Sequence, residues 1–171
     1  MLARAGHGTL DPMMFKALIV AVLLVACSGR EPEPAGIGKW RFNQLTLKDV
    51  RDGKCQPTEG RDGRQLTWCF AQPPYKLAKR TAEVDAYFLG TAPDARLIEL
   101  QLSIRGCVEN ELDQWLHQAF GPSVDVKGPR TFWTNSFMWI DAIMPSAPGR
   151  CLIHMLPLGE TAEIARLKAE S

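Results

Sequence analysis

Cysteine is the residue type with the clearest chemistry in this chain of 171 residues, which contains five of them. The last four are Cys55, Cys69, Cys107 and Cys151. No two of them have the Cys-x-x-Cys spacing that is typical of thiolate zinc sites. We therefore expect no metal there. An even number permits two disulfide bonds, with three possible connectivities. Disulfides persist in oxidising compartments, so this prediction depends on whether the chain is exported.

The N-terminus has the features of an export signal. The apolar run 17–26 follows Lys16 and is too short for a membrane-spanning helix, which needs about 20 residues. Its length suits the apolar core of a secretory signal with a positive flank. The polar prefix 1–12 does not fit a signal, so we expect the true start at Met13 or Met14. Residues 1–26 are assigned to the signal peptide.

The end of this run resembles the lipobox of bacterial lipoproteins. Leu24-Val25-Ala26-Cys27 has the aliphatic residue, spacer, small residue and Cys of that motif. The resemblance implies that Cys27 is lipidated and becomes the first residue after cleavage, with enough acyl chains for a stable anchor. Ser28, rather than Asp, implies attachment to the inner leaflet of the outer membrane, on the periplasmic side. A plain secretory signal followed by a free Cys27 is the alternative.

Composition defines the rest of the chain as one near-neutral domain behind a linker. Residues 28–38 lack hydrophobic periodicity and contain two Glu-Pro steps, which is typical of an extended tether. We assign 27–38 to the lipidated Cys and tether and 39–171 to one periplasmic domain. The chain has 20 basic and 19 acidic side chains and a net charge of +1. A nucleic-acid partner, which calls for a basic surface, is therefore not expected.

Hydrophobic periodicity predicts strands and two helices in this domain. The runs 83–89 and 97–104 alternate apolar and polar residues, as in a hairpin with one buried face. Apolar residues at helical spacing predict a helix over 110–120. Further strands are predicted at 65–70, 131–134, 137–144 and 151–156, and a second helix at 159–168.

This order of elements predicts an α+β fold. We expect a single domain with an antiparallel sheet, two helices packed on one face and two disulfides. The segment 83–122 resembles units of small, uncharacterised periplasmic α+β domains. That resemblance implies a shape and no activity, because the segment contains no catalytic motif.

The predicted strands favour one disulfide pairing, Cys55–Cys69 with Cys107–Cys151. Cys55 and Cys69 flank a turn at 60–63, which can bring their Cα atoms within the ~4.4–6.8 Å that a disulfide needs. Cys107 lies just past the strand 97–104, and Cys151 opens the strand 151–156. If these strands are antiparallel neighbours, both cysteines lie at the same edge of the sheet.

The sequence offers little for catalysis. It contains neither Gly-x-Ser-x-Gly nor a glycine-rich phosphate loop. We interpret His154 as a structural histidine. Four carboxylates could converge in the fold, but most of them fall on the predicted solvated face and need no function: Glu83, Asp85, Glu99 and Asp141. We therefore expect neither an enzyme nor a cofactor.

Aromatic residues in the predicted hairpin 131–144 are the best candidates for a binding surface. If Met138 and Ile140 face the core, strand alternation turns Phe137, Trp139 and Asp141 outward. An exposed aromatic pair would mark the contact with a partner or a sugar. The alternative is a sheet that is packed on both faces.

Together these features predict a lipid-anchored, non-catalytic binding or assembly module of the cell envelope. It would be attached to the membrane through the lipid on Cys27 and would bind a protein of the envelope. An inhibitor or immunity lipoprotein that blocks a cell-wall hydrolase with an exposed loop is the alternative. An enzyme is the third hypothesis, which a cleft of converging carboxylates would favour.

Overall fold

The computed structural model of the chain describes residues 33–77, 79–145 and 149–170. Within these residues the strands are β1 (Gly36–Ile37), β2 (Trp40–Arg41), β3 (Lys54–Glu59), β4 (Gln65–Phe70), β5 (Tyr75–Leu77), β6 (Arg80–Leu89), β7 (Leu97–Cys107), β8 (Asp125–Lys127), β9 (Arg130–Thr134), β10 (Met138–Ile143) and β11 (Gly149–Pro157). The helices are α1 (Glu109–Phe120) and α2 (Thr161–Ala169). The predicted signal peptide and Cys27 lie outside the described residues.

One antiparallel sheet forms the body of the described chain. Its strand order is β3-β4-β6-β7-β11-β10-β9-β8, with β5 paired to the start of β6. The long hairpin of β6 and β7 lies at the centre, and β11 pairs with β7 as expected. The predicted antiparallel sheet is confirmed, although sheet outweighs helix more than the α+β expectation implied. None of the helices described has the length and hydropathy needed to cross a bilayer.

One face of the sheet, which we call the α1 face, is apolar over its central strands. Strand alternation directs Val84 and Phe88 of β6, Leu100 of β7 and Ile153 of β11 to this face, and all are buried. Helix α1 packs there through Leu112, which is part of the same core cluster. The aliphatic alternation of 83–89 and 97–104 therefore produces the main core.

The opposite face, the α2 face, carries helix α2 and a smaller apolar cluster. Ile164 and Leu167 of α2 pack on Phe132, Trp139 and Leu156. These sheet residues alternate with residues of the main core, such as Trp133 and Ile140, so the two helices lie on opposite faces. The expectation that both helices pack on one face is wrong. In β9–β11 both faces of the sheet are apolar, so each face has to be covered by another element.

The N-terminal segment begins the compact unit earlier than the tether prediction allowed. Residues from Glu33 onward belong to one compact unit. The buried side chain of Ile37 lies in β1, and β1 pairs with β2. At Gly36 the φ angle is 145°, and a Cβ would lie 2.0 Å from the carbonyl oxygen of Trp40. Only glycine fits this close approach. Because β1 is paired and Ile37 is buried, residues 33–38 belong to the folded unit and not to the tether.

Both predicted disulfides are present. Cys55 and Cys69 are directly opposite each other in the β3–β4 pair, with Cα atoms 4.0 Å apart. Cys107 and Cys151 join the end of β7 to the start of β11, with Cα atoms 5.7 Å apart. The predicted pairing is confirmed, because β7 and β11 are antiparallel neighbours.

Candidate functional site

Two of the three residues predicted to form a binding surface are buried. Trp139 is 2% exposed and Asp141 is fully buried, whereas Phe137 is 41% exposed. The expectation that Trp139 and Asp141 face solvent is wrong, because α2 covers them. The ring of Trp139 stacks on that of Phe132, with centroids 5.5 Å apart. The sheet here is packed on both faces, which was the alternative.

An apolar groove remains open between the β8–β10 edge of the sheet and α2. Its volume is about 450 Å³. Phe132 and Trp139 form part of its wall, and Ile164 of α2 lines it from the helix side. Other lining residues are Val124, Asp125, Lys127, Thr134, Leu158, Thr161, Ala165 and Lys168. The volume lies in the ~300–1,000 Å³ range of natural binding sites, which are also mostly apolar.

Exposed hydrophobic side chains gather at this groove. Val124 and Leu158, at 58% and 40% exposure, both line it. Phe137 lies next to Leu158, because the Leu158 amide donates to the Phe137 carbonyl at 3.1 Å. β8 is the last strand of the described sheet, so its outer edge can accept another strand. Such a patch is typical of an interaction site.

The chain enters the compact unit beside the same groove. The side-chain amide of Asn135 donates to the Pro34 carbonyl at 2.8 Å. The Ser136 amide donates to the Glu33 carboxylate, also at 2.8 Å. Residues 33 and 34 are therefore fixed at the β9–β10 turn, next to Phe137.

A second, polar cavity of about 370 Å³ lies elsewhere on the α2 face. The β3–β4 turn and α2 form its sides, and the sheet forms its floor. The residues that line it are Thr58, Glu59, Gly60, Arg61, Asp62, Arg64, Leu66, Tyr87, Ile98, Glu99, Gln101, His154, Leu156, Glu160, Glu163 and Arg166.

A carboxyl group and an imidazole lie close together on the floor of the polar cavity, and both have little access to solvent. The side chains of Glu99 and His154 are 14% and 18% exposed, and Oε1 of Glu99 lies 3.9 Å from Nδ1 of His154. Gln101 donates to the same oxygen at 2.7 Å. Burial raises the pKa of Glu99 and lowers that of His154 to about 4, so the imidazole is neutral at pH 7. Nδ1 of His154 has no hydrogen-bond partner among the described residues.

The rim of the polar cavity is a network of ion pairs. Arg64 of the turn donates to Glu160, just before α2, at 2.7 Å and also binds Asp62. Arg166 of α2 pairs with Glu163 and Glu170. Since the Arg64–Glu160 pair spans 96 positions of the chain, it fastens the turn to the segment that leads into α2.

The four carboxylates considered in the sequence end up in different settings. Glu83 is exposed and pairs with Arg105 at 2.9 Å, outside the cavity. Asp85 is partly buried on β6, opposite Gln101, and does not line the cavity. Glu99 lies inside the cavity, and Asp141 lies under α2 with Arg130 at 2.7 Å. Among the described residues, no group of three or more His, Cys, Asp or Glu side chains could hold a metal ion.

Sequence reasoning missed the polar cavity because its floor comes from polar positions of strands predicted to face water. Glu99 and Gln101 alternate with buried aliphatic residues, as in a solvated face. The available signal was His154 in the middle of a hydrophobic strand. No family model, curated protein or solved structure matches this chain, so the roles of the groove and the cavity have to follow from their own residues.

Proposed function

We propose that the chain is a lipid-anchored, non-catalytic binding module of the bacterial cell envelope that faces the periplasm. Its partner is a protein that places apolar side chains in the groove between β8 and α2. The groove carries this proposal, because it combines a buried aromatic wall with the exposed Val124 and Leu158. Exposed hydrophobic side chains at a preformed groove favour binding of a partner protein, because binding removes them from water.

The lipobox resemblance and the cysteines support the proposed location. Leu24-Val25-Ala26-Cys27 supplies the anchor, and Ser28 favours the outer membrane. The two disulfides are typical of a protein in an oxidising compartment such as the periplasm. Glu33 is six positions after Cys27, and a chain spans at most about 3.6 Å per residue, so the proposed anchor would keep Glu33 within about 22 Å of Cys27.

The chemistry of the groove favours an extended segment of the partner. The outer edge of β8 offers backbone groups for strand addition, and the adjacent groove takes side chains from that strand. Lys127 and Lys168 line the groove, against one carboxylate from Asp125. A segment that carries apolar residues and an acidic flank fits this surface.

The anchor is tested by metabolic labelling with an alkyne analogue of palmitate. The wild-type protein is expected to take the label into the membrane fraction, and Cys27→Ser to remain unlabelled. Equal labelling of both proteins would contradict lipidation at Cys27.

The groove is tested by placing a photo-reactive amino acid at position 124 in cells. A cross-link to one envelope protein is expected at 124 and not at Val108, a matched position that is 38% exposed and lies outside the groove. Val124→Asp should abolish capture of that protein, and an unchanged yield would argue against the groove. A captured cell-wall hydrolase that loses activity on binding would favour the inhibitor hypothesis.

A further inference from the structure

We propose that the polar cavity binds a neutral sugar residue, whose hydroxyl groups bind Glu99 and His154. This site is separate from the apolar groove, and the proposal depends neither on the groove nor on the lipid anchor. It rests on the buried polar atoms of the floor, the paired charges of the lining and the apolar part of the floor beside Tyr87.

The floor of the cavity has hydrogen-bonding capacity that the described protein does not use. Nδ1 of His154 is buried without a partner, and leaving a buried polar atom unpaired costs about 1–3 kcal/mol. Oε1 of Glu99 accepts a hydrogen bond from Gln101, and Nδ1 of His154 lies 3.9 Å from the same oxygen, beyond hydrogen-bond distance. A ligand that donates to both side chains would satisfy these acceptors together.

The lining favours a neutral ligand over an ion. Five carboxylates line the cavity: Glu59, Asp62, Glu99, Glu160 and Glu163. Three guanidinium groups stand against them: Arg61, Arg64 and Arg166. Most of these charges neutralise one another, because Arg64 pairs with Asp62 and Glu160, and Arg166 pairs with Glu163. A hydroxyl group can donate to a carboxylate and accept from a guanidinium, so it matches both kinds of lining.

Part of the sheet floor of the cavity is apolar. Leu66, Ile98 and Leu156 line it together with the ring of Tyr87. Tyr87 is held in place by Trp68, whose ring is nearly parallel to it at a centroid distance of 6.4 Å. A sugar ring has an apolar face of C–H groups and an edge of hydroxyls. It therefore matches a floor that has an apolar part beside a polar part, and about 370 Å³ is enough to hold one ring.

Each side of the cavity then has a defined part in binding. Glu99 and His154 accept hydrogen bonds from hydroxyl groups at the floor. Arg64 and Arg166, fixed by their carboxylate partners, donate to hydroxyl oxygens at the rim. The raised pKa of Glu99 is consistent with this role, since hydroxyl donors would replace part of the solvation that burial removes.

The proposal is tested with the full-length protein in a detergent that contains no sugar. Four probes are titrated by calorimetry: the neutral disaccharides maltose and N,N′-diacetylchitobiose, inorganic phosphate, and the diamine cadaverine. Saturable binding of a neutral disaccharide with a Kd of about 1 mM or tighter is expected, and no binding of phosphate or cadaverine. Binding of phosphate or cadaverine alone, or of none of the four, would overturn the proposal.

Two further measurements locate the site. Glu99→Gln should weaken saccharide binding about tenfold, the effect of losing a charged acceptor, whereas Glu83→Gln on the same face should not. In the wild-type protein the saccharide should shift the NMR signal of the Gln101 side-chain amide and leave that of Gln114 on α1 unchanged. Equal losses in both variants, or a shift at Gln114 without one at Gln101, would overturn the proposal.

Discussion

Asp141 and His154 are directly opposite each other on β10 and β11, on the α2 face of the sheet. Burial raises the pKa of Asp141 to about 6, although Arg130 opposes this shift, and lowers the pKa of His154 to about 4. The same loss of solvent therefore acts on the two groups with opposite sign. Both are mostly uncharged in the folded protein near pH 5, where an unfolded chain would carry both charges.

These two shifts should nearly cancel in the stability of the wild-type protein between pH 4 and 6. Folded Asp141 binds more protons there than it does when unfolded, so its contribution to the free energy of unfolding falls as pH rises. Folded His154 binds fewer, so its contribution rises with pH. Asp141→Asn should leave a rising profile and His154→Gln a falling one, each by roughly 2 kcal/mol across the window.

Urea unfolding at several pH values measures these profiles. Other titrating groups, Glu99 among them, are common to all three proteins, so the difference between each variant and the wild type isolates the pair. Parallel profiles in the three proteins would contradict the burial of both groups.

Trp139→Ala is expected to destabilise the protein by about 3–5 kcal/mol, the range for a buried tryptophan. Its ring is enclosed by Phe132 and α2, so truncation leaves a cavity in the smaller core cluster. Phe137→Ala, two positions earlier and just before β10, is the matched control and should cost under about 1 kcal/mol, because Phe137 is 41% exposed. Similar costs for both substitutions, measured by thermal unfolding, would show that α2 does not cover Trp139.

The main core could be predicted from sequence because one strong pattern defines it. Val84, Ala86 and Phe88, like Leu100, Leu102 and Ile104, belong to the main core as the alternation predicts. Ile98 was predicted on the same face, but it lies at the register shift between β6 and β7 and lines the polar cavity instead. Strand 65–70 and helix 110–120 were predicted within one residue of their ends. In these segments local pattern and tertiary packing agree.

The elements that shape the groove and the cavity lack such a pattern. β8 is three exposed residues, and β3 contains a proline and is mostly exposed, so neither has a buried face to detect. The pattern of β10 is apolar on both sides apart from Asp141, which allows either face to be the core. Only the position of α2 decides that Trp139 is buried, and this is a long-range contact.

Arg130→Met should be strongly destabilising, and most of the loss should depend on Asp141. Nη1 of Arg130 donates to Asp141 at 2.7 Å and to the Leu167 carbonyl at 3.3 Å, so it links β10 to the last turn of α2. Removing it leaves a buried carboxyl without its cation, at a cost of about 3–5 kcal/mol. The double variant Arg130→Met/Asp141→Leu should recover at least half of that loss. Additive losses in a double-mutant cycle would contradict the coupling.

The two disulfides should differ in both accessibility and effect. Cys55 is exposed on the edge strand β3, whereas Cys107 and Cys151 are both buried. A thiol reductant should therefore open Cys55–Cys69 first in the folded protein, and trapping with iodoacetamide followed by peptide mapping should find residues 55 and 69 modified.

Loop-closure entropy is about 3 kcal/mol for 14 residues and about 4 kcal/mol for 44, so removing Cys107–Cys151 should cost more stability. Cys107 lies just before α1 and belongs to the main core together with Cys151. Removing this disulfide should therefore also weaken the packing of α1, in addition to the entropic cost. Earlier modification of residues 107 and 151 would mean that the sheet opens at β7–β11 before it opens at its edge.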